Sequence, residues 1–210
     1  MKLKIDLHVH TTGSRDAFIE AGQLPLILKE RGLDGVAITN HDALTEVTSS
    51  ETIILPGIEV STRQGHMIGL GVSDPITKGS TADETISMIH RAGGVAIVPH
   101  PFDPISPCVN PLKLRSRPEA IEVINSDALF FRLNTIVARR MADRLSVPMV
   151  AGSDSHISET VGDAYTLIDS NSKSVADILS AIRAGSVEPA GGPTPLSKKL
   201  LKVARTLRSL

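Results

Sequence analysis

Lys2-Leu3-Lys4-Ile5-Asp6-Leu7-His8-Val9-His10 opens the chain and decides how the rest is read. Leu3, Ile5, Leu7 and Val9 alternate with Lys4, Asp6, His8 and His10, the period of a β-strand whose side chains take opposite faces in turn. Two imidazoles at i and i+2 on one strand face can reach a single metal ion, and Asp6 shares that face. The pair closes the strand where Thr11-Thr12-Gly13 begins a loop. In α/β barrels the C-terminal ends of the strands are where sites are built.

Outward from this strand the pattern alternates between strand and helix. Gly35 to Thr39, Thr52 to Glu59, His66 to Val72, Val95 to Val98, Ala120 to Asn125, Pro148 to Ala151 and Ala164 to Ile168 are predicted strands. Leu24 to Arg31 is a predicted helix, with Pro25 tolerated in its first turn and Gly32 as its stop. A second helix starts at Thr81, where Glu84 completes a capping box, and ends at Gly93-Gly94. Asn134 to Leu145 and Val175 to Ala184 are the others, and proline-rich 101–118 is a long loop of the kind that often carries function. The alternation predicts an α/β fold around a parallel sheet, open or closed into a barrel.

At 210 residues the chain has room for a sizeable core, and its net charge of −1 gives no general basic field for nucleic acid. Aromatic residues are too few to line a long base-stacking groove. No apolar run is long enough for a membrane span, and the first residues begin a strand rather than a signal peptide. The lone Cys108 forms no internal disulfide, suits a reducing cytoplasm, and is expected as a small buried apolar filler.

A domain is expected over 1–192 and a basic amphipathic tail over 193–210. The tail's charges are all basic (Lys198, Lys199, Lys202, Arg205, Arg208), while Leu196, Leu200, Val203, Leu207 and Leu210 recur as a helical stripe. The stripe predicts a helix packed on the body or on a second subunit, which would make a homo-oligomer. The alternative is a basic face offered to a polyanion or an anionic membrane.

The predicted strands deliver ligand-type residues at their C-terminal ends: His8 and His10, then His41, Glu59, His100, and finally Asp154 and His156. His66 stands just across the turn Ser61 to Gly65 from Glu59, whereas His90 lies mid-helix and is expected to be structural. Polar groups seldom gather this way in a core without a task. Asp6 is expected to stand behind the ligands and orient an imidazole.

His8-Val9-His10, Thr39-Asn40-His41-Asp42, Pro56-Gly57-Ile58-Glu59, Pro99-His100-Pro101 and Gly152-Ser153-Asp154-Ser155-His156 together resemble the ordered motifs of the PHP (polymerase and histidinol phosphatase) superfamily. The resemblance runs from Lys2 to about Gly192. It implies a distorted (β/α)7 TIM-like barrel and a multinuclear site of two or three divalent ions (zinc, manganese or iron) serving phosphoester hydrolysis. Carried over by motif, His8, His10, Glu59 and Asp154 would hold one ion. Glu59, as a bridge, with His66 and His100 would hold a second, and Asp16, His41 and His156 a third. Two departures stand out. Asn40 replaces the acid usual before the histidine matched by His41, and the acid after the first histidine pair is displaced by one residue in Ser14-Arg15-Asp16.

The implied chemistry is attack of a metal-activated hydroxide near Glu59 on phosphorus, with His41, Asp42 or His156 assisting proton transfer to the leaving oxygen. Arg15 and Arg63, beside the ligand motifs, are candidate phosphate clamps. The short chain between His66 and His100 leaves little room for a capping domain. An open mouth suits a small phosphomonoester, a nucleotide or a 5′ nucleic-acid end. Two other classes compete: a metal hydrolase cleaving carbon–nitrogen bonds, and a non-catalytic RNA-associated scaffold using the basic tail.

Overall fold

The computed structural model describes residues 1–45, 47, 49 and 52–209. The opening alternation becomes β1 (Lys2–Val9), whose Ile5 and Val9 are fully buried in the core while Asp6 and His8 are equally buried on the opposite face. A strand shielded on both sides can carry its imidazoles only if partners surround them, which sets the terms for the site.

β1 belongs to a nine-stranded sheet with β2 (Gly35–Ile38), β3 (Ile53–Ser61), β4 (His66–Leu70), β5 (Val95–Val98), β6 (Ala120–Asn125), β7 (Met149–Gly152), β8 (Ala164–Asp169) and β9 (Val187–Gly191). The spatial order is β7-β6-β5-β4-β3-β2-β1-β8-β9. β1–β2, β2–β3, β5–β6 and β6–β7 pair parallel. The other four contacts, β3–β4, β4–β5, β1–β8 and β8–β9, are antiparallel, so the parallel sheet read from the strand–helix alternation is in detail a mixed one. The reason is local: the short turn between β3 and β4, tied by Thr62 Oγ1 to the Gly65 carbonyl at 2.6 Å, can only return the chain antiparallel. β9 escaped the sequence pattern because it is an edge strand containing Pro189 and ending on Gly191, where strand alternation is weak.

The sheet curls into a nearly closed, distorted barrel. At the seam Thr166 Oγ1 on β8 accepts from the Ala151 amide at 2.8 Å and donates to the Ala151 carbonyl at 2.9 Å, standing in for a ladder between β7 and β8. Helices α1 (Leu24–Arg31), α2 (Ala82–Arg91), α3 (Phe131–Leu145) and α4 (Val175–Arg183) cover the outside. The capping box at Thr81 is formed, and α2 buries Ile86 and Ile89. Each such side chain stabilises by about 1.5–3 kcal/mol. His90 is bonded to Glu119 at 2.7 Å, as a structural histidine should be.

The C-terminal helix α5 (Leu196–Ser209) packs on the body, but not through its apolar stripe. Leu196, Leu200, Val203 and Leu207 are 72%, 60%, 53% and 69% exposed, while Lys198, Lys199, Lys202 and Arg205 turn to the body. Lys198 pairs with Asp163 at 2.8 Å, Lys202 with Asp127 at 2.7 Å, and Arg205 with both oxygens of Glu159 at 2.9 and 2.6 Å. The surface that α5 meets is rimmed by acids, so charge rather than apolar burial sets the face that docks. Leu210 lies outside the described residues. No helix among the described residues is long and apolar enough to cross a membrane.

Candidate metal centre

The strand ends bring the predicted residues into one pocket of about 210 Å³, lined by Asp16, His41, Glu59, His66, His100, Asp154 and His156 with Ile105, Ser106, Pro107, Asp127 and Lys202. Beneath it, His8 and His10 are fully buried. Their Nε2 atoms lie 3.1 Å apart. His8 Nε2 is 3.5 Å from Glu59 Oε2 and 3.4 Å from Asp154 Oδ1, and His10 Nε2 is 3.3 Å from each of the same two oxygens. Ligands of a tetrahedral ion bonded at about 2.0–2.1 Å stand roughly 3.3 Å from one another. The spacing of these donor atoms therefore fits a small divalent ion.

Glu59 divides its oxygens. Oε2 faces His8 and His10, whereas Oε1 is 3.0 Å from His66 Nδ1 and 3.1 Å from His100 Nε2. That is the geometry of a carboxylate bridging two positions. On the open side, Asp16 Oδ2 is 3.2 Å from His156 Nε2 and 3.8 Å from His41 Nε2, and His41 Nδ1 is 3.1 Å from Glu59 Oε2. His10, His41 and His156 offer nitrogen atoms all within 4.8 Å of one another.

Without a cation, protons must balance these carboxylates. Burial pulls the His8 imidazole down, but Asp154, Glu122 and Glu59 outweigh it and hold the ring protonated well above its usual range. His100 is likewise lowered by burial, yet bonds from Cys108 and Glu59 push it up to about 10. His10 goes the other way, to about 3, because burial and the neighbouring His156 both disfavour its charge. Burial raises Glu59, but the His8 charge and bonds from His100 and His66 hold it well below the usual carboxylate range. A divalent ion binding here would displace protons from His8 and His100.

Behind the donor atoms lies a group the sequence reading missed. Glu122 on β6 is buried; its Oε1 is 3.0 Å from His8 Nδ1, and its Oε2 accepts from the His100 amide at 2.9 Å and from Asn125 at 2.9 Å. It fixes the ring orientation of His8 and the backbone of His100 together. A signal was available: Glu122 is the one charge in the apolar run Ala120-Ile121-Glu122-Val123-Ile124. Gly152 is required beside it, since a Cβ there would lie 2.4 Å from His8 Cβ and 2.7 Å from Glu122 Oε1.

Asp6 was expected to orient an imidazole, and this is corrected. It accepts from the amides of His8, Ser153 and Gly162 and from Ser153 Oγ, so it secures the backbone that presents Asp154. Burial pushes its carboxyl up to about 6 against those donations. Asn40 also keeps a supporting part: its Oδ1 accepts from the Thr11 amide at 2.7 Å and from Ser14 Oγ at 3.2 Å, and Ser14 Oγ lies 3.2 Å from His10 Nδ1. Asp42, His100 and Asp154 all have positive φ (55°, 30° and 56°), strained backbone concentrated at the ends of the strands.

Other expectations are not met by position. Asp42 turns its carboxylate to the Ser61 amide and hydroxyl at 2.7 and 3.0 Å and does not line the pocket. Arg15 is exposed, and Arg63 is exposed and bonded to the Gly79 carbonyl at 3.0 Å; neither lines the pocket. Sequence proximity to the motifs misled, because both sit on turns that leave the pocket. Cys108 is no apolar filler: its Sγ lies 2.9 Å from the carbonyl oxygens of both His100 and Asp103, knitting the loop that carries His100.

This arrangement can be set beside known proteins. A PHP-associated family model matches residues 137–187. The uncharacterized protein MJ1587 of Methanocaldococcus jannaschii is 30% identical over 141 residues, covering 59% of this chain and 82% of that protein. The chain belongs to the PHP superfamily. Its barrel superposes on a two-domain protein from Bacteroides vulgatus, described as containing a predicted PHP-like metal-dependent phosphoesterase, with TM-score 0.69 and 18% identity over 91% of the chain. It superposes on the lesion-specific endonuclease PfuEndoQ of Pyrococcus furiosus with TM-score 0.67 and 17% identity, again over 91%. The PHP chain described here spans 65% of the first of these proteins and 59% of the second.

Proposed function

We propose that this PHP protein is a metal-dependent phosphoesterase that hydrolyses phosphomonoesters. The observation that carries the reading is the division of Glu59 between two sets of donor atoms: Oε2 faces His8 and His10, whose spacing suits a small divalent ion, and Oε1 faces His66 and His100. In this proposal His8, His10, Glu59 and Asp154 hold one ion, Glu59, His66 and His100 a second, and Asp16, His41 and His156 a third. Bound zinc, manganese or iron would supply Lewis acidity towards phosphoryl oxygens and make water nucleophilic at neutral pH.

The chain's own residues have separable tasks. Glu122 and Ser14 orient His8 and His10, and the dry walls around Glu59 strengthen every charge interaction made there. Where the third position is empty, His41 (29% exposed at its side chain, the most open imidazole of the pocket) would be free to hand a proton to the leaving oxygen. Among the described residues no inserted domain covers the pocket, which supports a small phosphorylated molecule, a nucleotide or a 5′ nucleic-acid end as substrate. The endonuclease among the structural neighbours favours keeping nucleic acid in that set. The scaffold alternative finds less support, because four of the five basic residues of α5, Lys198, Lys199, Lys202 and Arg205, are bonded to the body.

The test is metal analysis of purified protein, followed by a screen of phosphomonoesters, nucleotides and short 5′-phosphorylated oligonucleotides. His10→Ala and Asp154→Asn should each lose metal and lower turnover at least about a thousandfold while the circular dichroism spectrum stays native. Turnover like the wild type in either variant would overturn the assignment.

A further inference from the structure

α5 exposes its leucines and turns four of its five basic side chains to the body, an orientation that costs apolar contact and calls for a reason. The reason is legible at its midpoint. Lys202 reaches over the pocket rim until Nζ lies 2.7 Å from Asp127 Oδ2 and 3.3 Å from His156 Nδ1. It is the one lysine or arginine among the residues lining the pocket, where it faces Asp16, Glu59 and Asp154. The helix is pinned on both sides of it, by Lys198 on Asp163 and by Arg205 on Glu159, and Lys199 donates to the Asp127 and Ala128 carbonyls at 2.6 and 3.1 Å. The lysine is therefore held in place rather than swinging in solvent.

His156 Nδ1 is 2.9 Å from the Asp154 carbonyl, which can only accept, so Nδ1 carries the hydrogen and donates it there. Nδ1 then has no lone pair for Lys202. Of the three ammonium hydrogens, one serves Asp127 and two are left for a ligand in the pocket.

We propose that Lys202, steadied by Asp127, is the anion anchor of this site, donating to a non-bridging oxygen of a phosphomonoester dianion. The inference rests on the phosphoesterase reading and adds the residue, from outside the motifs, that selects a terminal phosphate. A dianion gains more from this cation than a diester monoanion does.

The experiment uses the full-length, metal-loaded protein with a phosphomonoester it hydrolyses, a matched diester, and inorganic phosphate as inhibitor. Lys202→Met should raise KM for the monoester about 10–100-fold, as expected for losing a charge-assisted bond, and weaken phosphate inhibition by a similar factor. It should change diester turnover much less and leave bound metal unaltered. Lys202→Arg should restore most of the loss. Because Lys202→Met could loosen α5, a second measurement uses the wild type. Inorganic phosphate should slow acylation of Lys202 by an amine reagent while leaving Lys173 unaffected, as read by peptide mass spectrometry. Unchanged monoester KM and unchanged phosphate inhibition in a folded Lys202→Met, or no protection of Lys202, overturns the anchor. Wild-type protein that hydrolyses no phosphoester at all overturns the underlying reading instead.

Discussion

Glu59 and α5 both gather opposite charges, yet on contrary terms. Around Glu59, 1% exposed, every partner comes from a strand end, and the carboxylate meets His8, His10, His41, His66 and His100 within 3.5 Å. Along α5 the pairs sit at the rim, with the basic side chains between about a fifth and a third exposed, and the leucines face solvent. In the floor, strand register leaves no freedom: a shift by one residue would turn His8 and His10 into the core. On the rim, the helix could have docked by either face, and the acids Asp127, Glu159 and Asp163 decided which. Buried charge is thus specified by the fold's framework, whereas surface orientation is settled by the surface that happens to be met.

If that contrast is right, damage behind the floor should cost far more than damage along the rim. The largest expected effect is at Asp6. Asp6→Ala leaves two buried amides, one half-buried amide and a hydroxyl without this acceptor and should lower stability by about 3 kcal/mol or more, read by urea unfolding of the metal-free protein. A loss below 1 kcal/mol would mean that the loop carrying Asp154 does not depend on it. Next comes Glu122→Gln, which keeps the shape but places an amide where one oxygen receives the His100 N–H. Metal affinity should fall about 10–100-fold in a chelator competition, with the fold intact.

Smallest is Arg205→Ala at the rim, expected to cost less than about 1 kcal/mol because the pair with Glu159 is partly exposed and screened by salt. Its pH dependence has a definite sign. Burial raises Glu159, but the bonds from Arg205 hold its carboxyl below the usual range. The pair's contribution is then fully present above the unfolded-chain pKa of a glutamate, about 4.3, and fades as pH falls through the lower folded value. Thermal melts of wild type and Arg205→Ala should therefore converge in acid. Persisting separation near pH 2 would show that Arg205 acts through packing instead.

Much of the site was legible because strand alternation and ligand chemistry point the same way. His8, His10, His41, Glu59, His66, His100, Asp154 and His156 are all ligand types at predicted strand ends or turns, and the structure gathers them with Asp16 in one cluster. What escaped were residues whose meaning depends on a distant partner. Glu122 looks like an oddity in an apolar strand until His8, far away in sequence, points at it. Asp6 looks like a helper for the neighbouring imidazoles until Ser153 and Gly162 arrive from the other end of the chain. The mixed sheet direction and β9 were hidden because hairpin returns and edge strands leave weak periodic traces.

The amino-acid order alone determined the local grammar: which segments extend, where they stop, and which face of β1 carries imidazole. Those follow from backbone sterics and a period of two, which need no distant contact. Only the tertiary structure decided which carboxylate stands behind His8, how Glu59 divides its two oxygens, and which way α5 lies. Each is an electrostatic choice between groups far apart in sequence, made when the barrel closes and excludes water. The same amphipathic helix on an apolar surface would have presented its lysines to solvent; here the acidic rim turned Lys202 inward.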